Sequence, residues 1–506
     1  MEVEPSFLIH PNGEIIISGN KSDLFSLYKY KNSKLSVYDS IPNVMYPFLF
    51  KGRVAGLTDQ DGNEKFRSTD SNFNSYFGSN YIRSVFSFKK GLLLIVQLID
   101  DNDIYIVDVL KQTKRILISN VKNLHNVQYS EEYNFMVANY DNKLLCIKLN
   151  DNKQRIEISS NSEGEKMNPF IYGKEIYFSN NIDSEYYSIY RVNIEDKPGV
   201  PEQLLQSAHD VKMPKYNGES LFYIEVINSE YLLRKMDLNS GTIYKITNNG
   251  VIYNYEFYDT KDIIFTFTDF DTPKSIISYN ISDNSFNNLT GNSLKLNISY
   301  KFIEQTTERS PAYLYSPPNE VKIKGVILFF HPGLHSDFSP RWDPLLSNLC
   351  NNGYVILAPN YPMSAGFGKS FYNANFSDAV TDIAKWKNFI RDYYKEHPIY
   401  YLSTSSGNIL MEHTLIEDNK NILASASFFG ISSSSEYNSS IPTIYFLGRN
   451  DPIVGYSDLL NKLRKEQINN DNIKIVSYDA EGHWFRKSNN LKNAMQYLAN
   501  FFCQHY

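Results

Sequence analysis

From about residue 7 to residue 290, short apolar runs alternate with clusters of Asn, Asp, Gly and Ser. The runs are rich in Tyr, Phe, Ile, Leu and Val, which pack well on a pleated surface, and long helical periods are missing. The pattern predicts strands joined by tight turns, and it recurs. Tyr105-Ile106-Val107-Asp108-Val109 is followed after a turn by Ile116-Leu117-Ile118-Ser119, and Leu145-Cys146-Ile147-Lys148-Leu149 by Ile156-Glu157-Ile158-Ser159. The same shape returns at Tyr190-Arg191-Val192-Asn193-Ile194, Arg234-Lys235-Met236-Asp237-Leu238 and Ile277-Ser278-Tyr279-Asn280-Ile281. Equivalent positions 108, 148, 193, 237 and 280 are separated by 40, 45, 44 and 43 residues. Phe25-Ser26-Leu27-Tyr28-Lys29-Tyr30 reads as an earlier copy and 46–69 as a degenerate one. Such a period matches a four-stranded blade, so residues 1–300 are expected to form a β-propeller of about seven blades. A pair of β-sandwiches is the alternative, and near-constant spacing argues against it.

From about residue 320 the rhythm changes. Strands are expected at 326–330, 354–358, 399–402, 422–429, 443–447 and 473–478. Helices are expected at 342–352, ending at Gly353, and after a Ser377-Asp378 cap with Val380, Ile383, Ala384 and Phe389 on one side. A last helix carries Leu491, Ala494, Met495, Leu498, Phe501 and Phe502. Strands alternating with helices imply a mostly parallel sheet covered on both faces, over residues 301–506. The stretch 291–320 is read as the join, with a turn at Ser316-Pro317-Pro318-Asn319.

Composition narrows the classes. A chain of 506 residues exceeds one ordinary domain, and its 42% hydrophobic residues suffice for two cores. Fifty basic against 56 acidic residues give a net charge of −6, with a pI near 5.9, so bulk charge suggests neither a nucleic-acid nor a membrane partner. The acidic start Met1-Glu2-Val3-Glu4-Pro5-Ser6 lacks a signal-peptide layout. Apolar runs such as Leu92-Leu93-Leu94-Ile95-Val96 are far shorter than the ~20 residues that span a bilayer and read as buried strands. Three separated cysteines, Cys146, Cys350 and Cys503, indicate neither a disulfide framework nor a zinc site. The expectation is a cytoplasmic protein with no metal and no cofactor.

Three islands in the second half carry candidate chemistry: Ser403-Thr404-Ser405-Ser406-Gly407, Gly448-Arg449-Asn450-Asp451-Pro452 and Glu481-Gly482-His483. Each follows a strand-like run, in the order nucleophile, acid, base of an α/β-hydrolase. A serine hydroxyl needs a base to take its proton and must stand clear of the backbone, which a strand-to-helix elbow with small flanking residues provides. In that frame Ser405 is the nucleophile and Ser403 and Gly407 its flanks. Ser406 as nucleophile would put Thr404 and Asn408 there, which fits close packing less well. His483 would take the Ser405 proton while Asp451 fixes its tautomer. The oxyanion needs two backbone N–H donors. Ser406 is one, and Gly333 in His331-Pro332-Gly333 is the other, because Pro332 has no N–H. His331 and His335 are four apart, but Pro332 and Gly333 between them argue against a helical metal pair.

Together these residues resemble the prolyl oligopeptidase family of serine peptidases, in which a propeller caps an α/β-hydrolase domain. The motif match is closest at Asn352-Gly353-Tyr354-Val355-Ile356-Leu357-Ala358-Pro359-Asn360-Tyr361, Gly366-Phe367-Gly368 and Glu481-Gly482-His483-Trp484-Phe485-Arg486-Lys487. The last run looks most like the acylaminoacyl-peptidase branch. The resemblance implies cleavage of short peptides or acyl-peptides through an acyl-enzyme on Ser405, with the propeller restricting access. It also implies that a homo-oligomer is a common assembly. Three departures stand out: Ser403 and Asn408 replace elbow glycines, His331-Pro332-Gly333-Leu334 replaces a His-Gly-Gly-Pro pattern, and Ser405 and Asp451 are only 46 residues apart. A longer pocket-forming insertion in the family shrinks here to Ser432-Ser433-Ser434-Ser435-Glu436-Tyr437-Asn438-Ser439-Ser440. The same triad also suits an esterase, a thioesterase or a transpeptidase-type tailoring enzyme. A propeller-based binding protein with an inactive hydrolase domain is the reading from another class.

Overall fold

In the computed structural model the apolar runs of the first 290 residues pair into seven consecutive antiparallel sheets, the sixth and seventh of them joined into one eight-stranded sheet by a single parallel pairing of Tyr231 with Val251. The structure describes residues 6–505 apart from 20–24, 33, 39–40, 42, 61, 69–81, 100, 123, 150–154, 159–164, 183, 195–199, 292–297, 433–439 and 469. Six sheets have four strands among the described residues, and the second has three, Val44–Phe50, Arg53–Gln60 and Asn63–Arg67. Positions 108, 148, 193, 237 and 280 each end the third strand of a sheet: Ile104–Asp108, Lys143–Lys148, Ser188–Asn193, Glu230–Asp237 and Ser275–Asn280. The repeat in the sequence is therefore a repeat of pairing.

The sheets stack by burying both faces, each against the next. Ile16 and Leu27 of the first sheet meet Val44 and Val54 of the second, while Tyr177 and Ile189 of the fifth meet Val211 and Leu221 of the sixth. Ile264 and Ile276 of the seventh pack on Ile15 and Ile17 of the first. A hydrogen bond from Tyr258 Oη to the Gly13 carbonyl (2.6 Å) joins the same two ends.

The second half is one eight-stranded sheet. Its strands are β1 (Ser299–Ile303), β2 (Ala312–Ser316), β3 (Gly325–Phe330), β4 (Tyr354–Pro359), β5 (Ile399–Thr404), β6 (Ile422–Phe428), β7 (Thr443–Gly448) and β8 (Ile473–Tyr478), in the order 1-2-4-3-5-6-7-8. The pairs β1–β2 and β2–β4 are antiparallel and the rest parallel. β3, β4, β5 and β7 are buried throughout, as parallel strands covered on both faces must be. Along β3, Ile327 and Phe329 face a core closed by helices α1 (Pro344–Asn351) and α6 (Ser488–Gln504). Val326, Leu328 and Phe330 face the other core, closed by α3 (Phe376–Tyr393) and α4 (Gly407–Glu417). A short α2 (Lys369–Tyr372) precedes α3, and α5 (Tyr456–Ile468) covers β7 and β8.

The structure differs from the sequence reading at several points. The join at 291–320 contains β1 and β2 of the large sheet rather than a turn alone. α3 starts earlier than a Ser377-Asp378 cap implies: Asn375 is its N-cap, and its N–H donates to the Asp378 carboxylate (3.0 Å). α5, absent from the expected elements, buries only Leu459 and Leu463. Residues 433–439 of the shortened segment lie outside the described residues.

Candidate active site

Ser405 sits where β5 turns into α4. Its φ of 49° is left-handed, a strained state for a residue with a Cβ, and it lifts the side chain off the strand axis. The turn is fixed from both sides, as the Ser405 N–H donates to the Phe428 carbonyl (3.0 Å) and the Ile431 N–H donates to the Ser405 carbonyl (3.1 Å). At Gly407 a Cβ would stand 2.4 Å from the Phe330 carbonyl oxygen, so no larger residue fits. The residues that replace elbow glycines are tied into a buried network. Ser403 Oγ donates to Asn408 Oδ1 (3.2 Å), and Asn408 Nδ2 donates to Glu412 Oε1 (2.8 Å). Ser432 Oγ donates to Glu412 Oε2 (3.0 Å).

The other two islands converge on this elbow. Ser405 Oγ lies 2.8 Å from His483 Nε2, and His483 Nδ1 lies 2.8 Å from Asp451 Oδ2. The other carboxylate oxygen of Asp451 accepts the N–H groups of Ile453 (2.8 Å) and Val454 (3.0 Å), which aims the side chain. With Nδ1–H donating to Asp451, Nε2 is left as the acceptor facing the serine hydroxyl. The arrangement can move a proton from Ser405 to His483.

Loop contacts hold the histidine in place. Glu481 is fully buried and accepts from the Arg486 N–H (2.6 Å), the Lys487 N–H (3.1 Å) and Asn490 Nδ2 (2.8 Å), which ties the loop to the start of α6. Burial raises its pKa, against the pull of those donors. The Asn450 N–H donates to the Glu481 carbonyl (3.0 Å), which joins the aspartate loop to the histidine loop. From the second sheet, Asn63 Nδ2 donates to the Asn450 carbonyl (2.9 Å) and Glu64 pairs with Arg486 (2.5 Å). Gly62 and Gly482 face each other so closely that a Cβ on Gly62 would lie 2.2 Å from the Gly482 nitrogen.

The expected oxyanion donors are placed as follows. Ser406 is the N-cap of α4, next to Ser405, at the positive end of the helix. Gly333 has φ 68°, and its N–H donates to Ser406 Oγ (2.8 Å). His331 is fully buried, stacked on Tyr361 with ring centroids 4.2 Å apart, with Nε2 3.0 Å from Ser364 Oγ. Burial pushes its pKa down to about 4, so it is neutral near pH 7. His335 packs instead on Tyr372, and no group of residues able to hold a metal ion occurs among the described residues. Cys146, Cys350 and Cys503 are free thiols. No described helix is long and apolar enough to cross a membrane.

A cavity of about 340 Å³ opens beside Ser405 and His483. The seventh sheet contributes Tyr253, Thr268 and Lys274, and the large sheet and its loops contribute Phe338, Arg341, Trp342, Thr404, Phe429 and Trp484. The sequence reading put Trp342 at the start of a helix over 342–352, but α1 begins at Pro344 with Asp343 as its N-cap, which leaves Arg341 and Trp342 in the loop that lines the cavity. Their role depends on contacts across the two halves.

No family model and no curated protein matches the chain by sequence. Solved structures do match over nearly its whole length. A Mycobacterium tuberculosis puromycin-hydrolysing peptidase has a TM-score of 0.79 at 11% identity, over 99% of this chain and 94% of that one. Prolyl oligopeptidase B from Galerina marginata, bound to a 35mer hydrolysis and macrocyclisation substrate, has a TM-score of 0.77 at 12% identity, over 97% and 87%. A puromycin hydrolase has a TM-score of 0.70 at 10% identity, over 99% and 86%. In fold, this chain is one with the prolyl oligopeptidase family structures.

Proposed function

We propose that the chain is a serine hydrolase acting as a peptidase on short or acylated peptides, with residues 1–300 as a seven-bladed propeller over an α/β-hydrolase domain of residues 301–506. The observation that carries this reading is the continuous hydrogen-bonded line Ser405–His483–Asp451 on the wall of the cavity. Ser405 Oγ attacks the scissile carbonyl carbon as its proton passes to His483 Nε2. The C–N bond then breaks, and His483 returns the proton to the leaving amine. Water repeats the two transfers on the acyl-enzyme, releasing the acid and restoring Ser405. Asp451 holds the imidazolium in register. The Ser406 and Gly333 N–H groups receive the oxyanion, and the Ser406 hydroxyl that caps Gly333 in the free protein turns aside.

The propeller closes over the cavity and admits only slender chains, consistent with Tyr253 and Lys274 on its wall. The similar structures named for puromycin hydrolysis and peptide macrocyclisation support amide chemistry. A second reading, ester cleavage or acyl transfer to an amine, uses the same triad and is favoured by the short Ser405–Asp451 segment.

Labelling with a fluorophosphonate probe tests the first step: the wild type should label and Ser405→Ala should not. Absence of labelling in both would leave a binding protein. Turnover of N-blocked aminoacyl amides, free-amine dipeptidyl amides and simple esters then separates the readings, and turnover of esters alone sinks the peptidase.

A further inference from the structure

The cavity beside Ser405 is walled by aromatic rings, among them Phe338, Phe429 and Trp484, yet it contains a guanidinium. Arg341 has five N–H donors in a planar fork. Its side chain hydrogen-bonds to Tyr253, and the charges of Asp343 and Asp337 act on it without an ion pair to either among the described residues. Each of these two acids gives one oxygen to other donors. Asp343 Oδ1 accepts the Leu345 and Leu346 N–H groups at the start of α1 (2.8 and 3.1 Å), and Asp337 Oδ1 accepts from Tyr231 Oη (3.1 Å). Lys274 adds a second positive charge to the cavity wall, its Nζ 4.1 Å from the centre of the Tyr253 ring.

Trp342 and Thr404 also line the cavity, though Trp342 Nε1 and Thr404 Oγ1 are buried away from the open space. Thr404 is only 4% exposed and directly precedes Ser405. A fork of cationic donors and a second cation, Lys274, in one largely aromatic-walled space suit a planar anion with several acceptor lone pairs.

We infer that this cavity takes a carboxylate close to the scissile bond, with Arg341 as the residue that selects it. The inference rests on the hydrolase reading and names its substrate class: short peptides bearing a carboxylate near the bond to be cut. Low dielectric between aromatic walls strengthens the bidentate pair, and an uncharged amide of the same shape forfeits the charge. The carboxylate has two sources, an acidic side chain or the free α-carboxylate of a short peptide.

Calorimetry on the Ser405→Ala protein separates them, because it reads binding without turnover. The probes are four N-acetylated alanine-based tripeptides, each with one glutamate or one glutamine and ended by a carboxylate or a carboxamide. The glutamate or the free-carboxylate arm, whichever supplies the anion, should bind at least tenfold more tightly than the doubly neutral peptide. Arg341→Met in the same background should erase the difference, and Arg341→Lys, which keeps the charge but not the fork, should retain part of it. Equal or undetectable binding of all four peptides, or a preference that survives Arg341→Met with the protein folded by its melting curve, overturns the inference. Should Arg341→Met not fold, a preference undiminished in Arg341→Lys and unchanged between low and high salt overturns it equally. Fluorophosphonate labelling of the wild type is independent of these readings. A labelled protein without carboxylate preference refutes only the inference, and an unlabelled protein with Arg341-dependent binding refutes only the hydrolase.

Discussion

His331 shows how one buried side chain sets a response to pH. Its ring lies flat on Tyr361, with Ser364 at one nitrogen, and burial lowers its pKa from 6.5 to about 4. Between those values the unfolded chain takes up a proton that the folded chain refuses. Stability owed to this residue is therefore full above about pH 6.5 and lost as the pH falls towards 4, by up to about 3 kcal/mol. The buried carboxyls of Asp382 and Glu481, whose pKa values are raised, act in the opposite sense and mask part of the trend. The clean measurement is the unfolding free energy of His331→Gln minus that of the wild type, which should rise as pH drops from 7 to 4.5. A difference that stays flat across that range would refute the assignment. At the same scale, Arg341 was invisible in the sequence because an arginine in a polar loop looks solvated until the seventh sheet closes over it.

Among the elements, those legible beforehand were those with a strong period. The third strands of the N-terminal sheets repeat every 40–45 residues because each must present the same alternation to two neighbouring sheets. β3, β4, β5 and β7 are continuous apolar runs because helices cover both faces. α5 lacks a clear signal because only Leu459 and Leu463 are buried, with Tyr456 and Leu460 partly buried beside them, a stripe that does not stand out from its charged residues. β1 was missed for the same kind of reason: three of its five residues are exposed, so no alternation marks it. The three islands were legible because each is a local motif, but the contacts that aim them were not. Glu481 at the head of α6 is the clearest case. Glu481→Leu leaves three part-buried donors without their carboxylate and should cost about 1–3 kcal/mol in denaturant unfolding. Glu481→Gln, which still accepts, should cost clearly less. Equal losses in the two variants would show that the carboxylate is not what ties the loop to α6.

Across the whole molecule, the segment 62–64 helps to hold the His483 loop. Arg486 ties the histidine loop to Glu64 with both side chains mostly buried, and Asn63 holds the Asn450 carbonyl. Breaking the pair by Arg486→Ala should slow fluorophosphonate labelling of Ser405 several-fold while lowering stability by about 1 kcal/mol. A double-mutant cycle with Glu64→Gln should show coupling in the labelling rate. Additive effects would mean that the two halves touch without influencing each other.

The meeting of Gly62 with Gly482 has a further consequence. Backbone lies against backbone there, and a Cβ on Gly482 would come 2.3 Å from the Gly62 oxygen. Main chain has no rotamers, so this seam cannot yield by degrees as packed side chains do. A single methyl at either glycine is therefore a wedge that the two main chains can accommodate only by moving apart.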